Sequence, residues 1–143
     1  MSCGDGDDLW TFFCFRVNDH RGSVLVEWFK NLDNSEGVDV LVELRVLLRK
    51  LKFRNRERWV RPEFAPLAGK GGLFELRFKK NNKQYRFIGC FGLGKCEFVI
   101  LLPGIKQKSD FYRRNCPVAL KRRKSLIESE GRIVEFKFAG NLE

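Results

Sequence analysis

Three β-strand patterns follow one another in the middle of the chain, and they constrain the fold more than any other feature. In residues 74–79, apolar side chains alternate with charged ones, which predicts a strand with one buried face and one solvated face. Residues 84–91 follow a turn at Asn81 and Asn82, and residues 96–102 are almost entirely apolar, as in a central strand covered on both faces. Strands joined by such short connections form hairpins, so this segment predicts an antiparallel sheet.

Helical and strand patterns flank these three strands on both sides. They predict a strand over residues 9–17, helices over residues 24–32 and 38–52, a helix over residues 115–129 with its proline in the first turn, and a final strand over residues 133–138. The first strand is predicted to end in a turn at Asn18 and Asp19. The leucine stripe of the second helix most simply faces the sheet as part of a helical hairpin, and the alternative is a coiled-coil partner site. The elements predict one α+β domain over residues 1–143, with its core at about residues 9–138.

The connection over residues 53–72 is irregular, glycine-containing and basic. Lys70 is followed by Gly71, and no Gly-Lys-Ser/Thr opens a helix, so the connection is not a phosphate-binding P-loop. Its cations are candidates for contact with nucleic-acid phosphates, and they are Arg54, Arg56, Arg58 and Arg61.

The composition excludes several classes of protein. The chain has 143 residues, of which 43% are hydrophobic and 32% charged, so it can bury a core and is not typical of a disordered tail. No apolar stretch approaches the roughly 20 residues that cross a bilayer, and the acidic start with Asp5, Asp7 and Asp8 is the opposite of a signal peptide. Five cysteines without a Cys-x-x-Cys motif predict reduced thiols and a cytoplasmic protein; they are Cys3, Cys14, Cys90, Cys96 and Cys116.

Charge is distributed unevenly along the sequence. Residues 1–44 hold three cations against nine acids, whereas residues 45–143 hold 25 cations against nine acids, within a total of +10. Clustered cations release condensed counterions when they meet phosphates, which supplies most of the non-specific affinity for nucleic acid. With a pI near 9.7, the basic part predicts a nucleic-acid partner, and the alternative is a solvated basic surface.

The residues available for catalysis exclude two common mechanisms and leave a third. Acids of the basic region are scattered singly and His20 stands alone, so neither a metal-dependent nuclease nor a Ser-His or Cys-His hydrolase is predicted. Cations on adjacent strands are expected to converge on one phosphate: Arg77, Lys79, Arg86, Lys106 and Lys108. An RNA substrate carries its own 2′-hydroxyl nucleophile, so such a site needs no metal or other cofactor. The alternative is a charged strand face that only contacts water.

Short motifs in this region resemble a known family. They include Gly72-Leu73-Phe74-Glu75-Leu76-Arg77, Gln84-Tyr85-Arg86 and Val99-Ile100-Leu101-Leu102-Pro103-Gly104. In this order and spacing they resemble the RelE/HigB superfamily of bacterial toxins, particularly its phage-derived, HigB-like branch, over about residues 24–128.

This resemblance implies a fold, an activity and partners. The implied RelE-like fold has two N-terminal helices packed on a curved antiparallel sheet, with a C-terminal helix. The implied activity is that of an endoribonuclease toxin, an mRNA interferase that cleaves messenger RNA on the ribosome without a metal. A cognate antitoxin is the implied protein partner.

The resemblance also assigns roles to residues. Arg77 lies at the general-base position, Arg86 at the phosphate-holding position, Lys106 at the general-acid position, and Tyr112 at the position of the aromatic that stacks on a base. Because an arginine stays protonated, the proton is expected to go to Lys79 or Lys108 instead. The further candidates for RNA contact are Tyr85, Lys121, Arg122 and Arg123.

A second class of function stays open. Arg77 at the base position, and Glu75 as an acid beside the phosphate, favour a non-catalytic module that binds nucleic acid or an antitoxin on the same scaffold. A phage-encoded inhibitor of a host protein is a third possibility, without a residue signature.

Overall fold

The computed structural model describes residues 3–6, 8–18, 20–129 and 131–143. Asp7, from the acidic start, and Asp19, from the predicted turn, lie outside the described residues. In the described ranges the strands are β1 (Thr11–Arg16), β2 (Phe64–Pro66), β3 (Phe74–Lys80), β4 (Lys83–Phe91), β5 (Glu97–Lys106) and β6 (Arg132–Glu135). The α-helices are α1 (Val24–Phe29), α2 (Asn34–Lys52) and α3 (Phe111–Ile127), and a 3₁₀ turn covers Arg56–Arg58.

The six described strands form one mixed sheet in the order β2-β3-β4-β5-β1-β6. β1 pairs with β5 in parallel, with Thr11 opposite Glu97, while the other neighbours are antiparallel. The helices lie between strands in chain order, with α1 and α2 after β1, and α3 between β5 and β6. The predicted fold class, two N-terminal helices on a curved antiparallel sheet with a C-terminal helix, is therefore wrong. Residue alternation within β1 identifies a strand but not its neighbour, which is chosen by distant contacts.

Helices cover both faces of the sheet. On one face, the buried residues of α2 pack against Phe12, Leu76 and Phe87, so the prediction that the leucines of this helix face the sheet is confirmed. On the other face, Phe111 and Ala119 of α3 pack against the sheet. β5 lies between β4 and β1 and is buried on both sides, which confirms the prediction of a central apolar strand.

Several element boundaries differ from the predictions, and two of these differences affect the surroundings of the predicted cations. The connection over residues 53–72 contains the short strand β2, which pairs with β3 at the edge of the sheet. The last helix begins at Phe111, so Pro117 lies inside it and not in its first turn. Pro117 has no N–H to donate to the carbonyl of Arg113. Because Arg113 is exposed, that carbonyl can bond water instead, and the helix continues through the proline.

The cysteines only partly follow the prediction. Cys14, Cys90 and Cys116 are free and buried, whereas Cys3 and Cys96 form a disulfide. The prediction of reduced thiols is thus wrong for these two residues, because the fold brings together positions that are 93 residues apart. The cytoplasmic location inferred from reduced thiols stays a prediction. No helix in the described part of the chain is long and apolar enough for a membrane crossing.

Candidate functional site

Strand register places four of the predicted cations, with Lys79 among them, on one face of the sheet. Arg77 on β3 lies directly opposite Arg86 on β4, and Lys106 on β5 lies opposite Gln84, two residues before Arg86. Side chains two residues apart on a strand share a face, so these cations stand on adjacent strands about 4.8 Å apart. Arg86 also lies opposite Gly104 on β5. Because glycine has no side chain, nothing at this position separates Arg86 from α3.

A buried carboxylate lies beside the two arginines. Glu75 is only 2% exposed, and its Oε1 accepts a hydrogen bond from Nη1 of Arg77 at 3.2 Å. The hydroxyl of Tyr112 donates to both carboxylate oxygens, at 2.8 and 3.0 Å, and Nε of Arg86 lies 3.9 Å from Oε2. We call Glu75, Arg77, Arg86, Lys106 and Tyr112 the Glu75 cluster.

Tyr112 joins the cluster from the first turn of α3. Nζ of Lys106 lies 5.6 Å from the centroid of its ring, within the range of a cation–π contact. Burial and the hydrogen bond to Glu75 raise the pKa of the Tyr112 hydroxyl, and Arg86 opposes that shift. The hydroxyl is therefore a neutral donor to Glu75 at ordinary pH.

One hydrogen-bond donor of the Arg86 guanidinium is unused. Its Nη1 bonds the carbonyl of Tyr85 at 3.2 Å, and its Nη2 bonds Oε1 of Gln84 at 2.7 Å. Its Nε is buried and has no hydrogen-bond partner among the described residues. A buried donor without an acceptor carries a desolvation cost, which an incoming anionic oxygen would remove.

Residues just before the edge strand β2 hold Arg77 in place. Its Nε donates to the carbonyl of Pro62 at 2.8 Å, and its backbone N–H donates to the carbonyl of Glu63 at 2.8 Å. A cavity of about 410 Å³ lies beside it, lined among others by Lys79 and Gln84. Lys79 is exposed and lines this cavity, while Lys108 lies in the exposed turn after β5; neither has a described contact with Glu75.

Tyr85 lies apart from the cluster. It is fully buried on the opposite face of the sheet, and its hydroxyl donates to Glu36 at 2.6 Å. As the neighbour of Arg86 on the same strand, Tyr85 points the other way, so its side chain is not available to RNA at this site. The alternation of side chains along a strand could have predicted that Tyr85 and Arg86 lie on opposite faces.

The arginines of the connection divide into inward and outward side chains. Arg54 lies 3.9 Å from Glu63, and the guanidinium of Arg56 lies 4.7–5.0 Å from the ring centroids of three phenylalanines. Arg58 and Arg61 are exposed. Only the latter two are fully open to a polyanion.

The cations of α3 divide in the same way. Lys121 is exposed, whereas Arg122 donates to the carbonyl of Leu101 at 2.7 Å and lies over the ring of Phe15. Burial lowers the pKa of Arg122, although arginine keeps its charge at ordinary pH. Arg123 lines an apolar cavity of about 460 Å³ between α3 and the β4–β5 hairpin.

Sequence analysis did not find the central role of Glu75. The alternation of β3 places it on the same face as Arg77, but its burial depends on α3, which brings Tyr112 over it. In the described part of the chain, no three His, Cys, Asp or Glu side chains are grouped so as to hold a metal ion.

A family model described as phage-derived protein Gp49-like (DUF891) matches residues 27–124, which is more than half of the chain. The chain belongs to the Gp49-like family. This family is RelE-like and is associated with toxin–antitoxin systems. No curated protein and no solved structure matches the chain.

The Gp49-like match includes every residue of the Glu75 cluster. It leaves out β1 and β6, which form one side of the sheet. Membership of the Gp49-like family confirms the predicted association with toxin–antitoxin systems, while the HigB-like branch stays a prediction.

Proposed function

We propose that this Gp49-like protein is the toxin of a toxin–antitoxin pair and cleaves messenger RNA on the ribosome, without a metal, by attack of a ribose 2′-hydroxyl. The observation that carries the proposal is the convergence of two arginines and a tyrosine on one buried carboxylate, with Lys106 against the ring of that tyrosine. A phosphodiester linkage needs charge stabilisation together with a proton acceptor and a proton donor, and the Glu75 cluster contains side chains for all three tasks.

Glu75 is the general base in this mechanism, and not Arg77, Lys79 or Lys108. Arg77 stays protonated, whereas an ionised carboxylate accepts a proton directly. In the free protein the Tyr112 hydroxyl occupies both oxygens of Glu75. The substrate 2′-hydroxyl takes the place of that donor, passes its proton to Glu75, and attacks the phosphorus.

The remaining cluster residues handle charge and the leaving group. Arg77 and Arg86 hold the phosphate oxygens, with Nε of Arg86 as the donor that is unused in the free protein. Lys106 protonates the departing 5′-oxygen as the P–O bond breaks, which leaves a 2′,3′-cyclic phosphate and a 5′-hydroxyl. Tyr112, once released from Glu75, stacks on a neighbouring base.

Exposed cations outside the cluster bind the ribosomal RNA. Lys79, Lys108, Arg58, Arg61 and Lys121 are exposed and positioned to contact RNA phosphates, which orient the chain without reading sequence. Arg54, Arg56 and Arg122 contribute less in this proposal, because contacts within the fold engage them, and Arg123 is only half-exposed beside a cavity. An acidic antitoxin segment would suit the same basic surface.

Controlled expression in bacteria tests the proposal. Induction of the wild-type chain should arrest growth within minutes and leave transcripts with 5′-hydroxyl ends. Arg86→Ala should abolish both effects, because the phosphate loses its buried donors, while circular dichroism shows an intact fold. Lys30→Ala removes an exposed cation directly after α1 and serves as the control that still arrests growth. If the Arg86→Ala variant arrested growth as fast as the wild type, the site assignment would be wrong.

A non-catalytic RNA-binding module is the second candidate. The burial of Glu75 and its satisfied contacts with Arg77 and Tyr112 favour it, since a carboxylate held in this way can be purely structural. Harmless induction with intact transcripts, together with salt-dependent RNA binding of the purified chain, would support the module over the nuclease.

A further inference from the structure

The helix α2 carries a second apolar stripe, on the side away from the sheet. Val38 is 62% exposed, Val42 54%, Val46 45%, and Phe53, directly after the helix, 57%. Their spacings of four, four and seven residues place them on one helix face. At 1.5 Å per residue the stripe is about 22 Å long.

This exposure is not explained by the packing of the sheet. The buried residues of α2, which include Leu44 and Leu48, already fill the core on the opposite side of the helix. Exposed apolar side chains grouped on one helix face mark interaction surfaces in folded proteins. Arg49 lies on the same face between Val46 and Phe53, and its guanidinium lies 5.4 Å from the ring centroid of Phe138.

Charges beside the stripe change sign along the helix. Asp39 and Glu43 lie on one flank in the first half of α2, and Lys50 lies on the same flank in the second half. These three side chains remain partly open to solvent, although Glu43 also approaches Lys80 at 3.5 Å and Lys50 approaches Glu63 at 3.2 Å. On the other flank, Arg45 is turned toward its own chain, where it donates to the carbonyls of Lys137 and Gly140.

We propose that α2 pairs antiparallel with α2 of a second copy of this chain, forming a two-fold symmetric dimer. In a two-fold antiparallel pair, a flank of one helix faces the same flank of the other, so Asp39 and Glu43 of each copy lie beside Lys50 of its partner. A two-fold axis close to residue 44 then places Val42 against Val46 of the other copy. A parallel two-fold pair would instead set this flank against the opposite flank of the partner, where Lys50 of each copy would lie near Arg49 and Lys52.

The dimer leaves the proposed nuclease site open. α2 covers the face of the sheet that contains Tyr85 and Phe87, whereas the Glu75 cluster lies on the face covered by α3. This inference therefore does not depend on the proposed function.

Mass measurement by light scattering or sedimentation equilibrium tests the proposal. At about 100 µM, the purified wild-type chain should have twice its mass of 16.8 kDa, because a stripe of this length suits a dimer of moderate affinity. Val42→Asp should give the monomer mass with an unchanged circular dichroism spectrum. Leu93→Asp, at a 75% exposed position outside the stripe, is the matched control and should remain dimeric. A monomeric wild type, or a Val42→Asp variant that stays dimeric, would overturn the proposal.

A charge reversal tests the antiparallel arrangement. Lys50→Glu should weaken the dimer at least about tenfold, because the new carboxylate faces Asp39 and Glu43 of the other copy. Mixing it with the Asp39→Lys/Glu43→Lys variant should restore dimers. An unchanged or smaller dissociation constant for Lys50→Glu would overturn the antiparallel pairing, since in a parallel pair the new carboxylate would lie near Arg49 and Lys52 of the other copy.

Discussion

Glu75 shows how one side chain can set the electrostatics of a site. It is a nearly inaccessible carboxylate with Arg77 and Arg86 on adjacent strands and the Tyr112 hydroxyl above it. A buried carboxylate is tolerated only where cations and donors compensate for its lost hydration. The same compensation holds Arg77 and Tyr112 in place, so the acid organises the residues with which it would act.

Replacing Glu75 with glutamine separates its proposed role as the general base from its role as the acceptor that positions Tyr112. Glu75→Gln keeps the shape and a hydrogen-bond acceptor for Tyr112 but cannot take up a proton at ordinary pH. We expect RNA cleavage to fall more than about 100-fold, measured with the purified chain and ribosome-bound message, with RNA affinity within about threefold of the wild type. Equal cleavage rates in the two proteins would show that Glu75 is not the base.

At the scale of elements, α3 completes the cluster because it begins four residues earlier than its proline suggests. The additional turn contains Phe111, which is buried, and Tyr112. Nδ2 of Asn115 donates to the carbonyl of Phe111 at 2.7 Å and stabilises this first turn. Pro117 is exposed, so the helix accommodates a missing backbone donor on its solvent side.

Replacing that proline should stabilise the helix. Pro117→Ala restores an N–H that can bond the carbonyl of Arg113, and alanine is favoured over proline inside helices by about 3 kcal/mol. Because proline also restricts the unfolded chain, we expect a net gain of about 1–2 kcal/mol in the free energy of unfolding, measured by urea titration. Val118→Ala, at the neighbouring exposed position, is the control and should change it by no more than about 0.7 kcal/mol. A loss of stability in Pro117→Ala would contradict this account of α3.

Prediction from sequence succeeded for the strands with strong alternation and failed where long-range contacts decide. β3, β4 and β5 carry periodic apolar residues, so their positions were predicted to within a few residues at each end. β2 has three residues, too few to show a period. Residue alternation also predicted that Arg77 lies on the polar face of its strand, whereas its register opposite Arg86, and the position of Tyr112 over Glu75, depend on tertiary contacts.

At the scale of the whole molecule, the parallel pairing of β1 with β5 distinguishes this chain from the predicted fold. β1 lies outside the residues that match the Gp49-like family, as does β6 beside it. These two strands extend the sheet beyond β5 and enclose Cys14, while Cys90 is enclosed on β4.

Two of the three buried free thiols, Cys14 and Cys90, have strongly raised pKa values and predict a loss of stability in alkaline solution. Burial and, to a smaller extent, Glu143 raise the pKa of Cys14 to about 12; burial raises that of Cys90 to about 11, against an opposing effect of Arg123. In the unfolded chain both thiols titrate near pH 8.5, so the folded state holds more protons above that pH. The free energy of unfolding is therefore unaffected by these thiols below about pH 8.5. Above that pH it falls by up to about 1.4 kcal/mol per pH unit for each thiol.

Urea titrations at about pH 8 and about pH 10 measure this dependence. The free energy of unfolding should be lower at the higher pH, and the decrease should be smaller in a Cys14→Ala variant, which keeps only Cys90 of this pair. An identical decrease in both proteins would assign the effect to other groups.

The sequence by itself determined which segments extend or coil, and that basic side chains crowd the second part of the chain, because these properties depend on residue type and near neighbours. Tertiary structure alone decided that β1 runs parallel to β5, that Cys3 meets Cys96, and that Glu75 is sealed beneath Tyr112. Each of these depends on contacts between residues far apart in the chain, and such contacts form only when the sheet and its helices pack together.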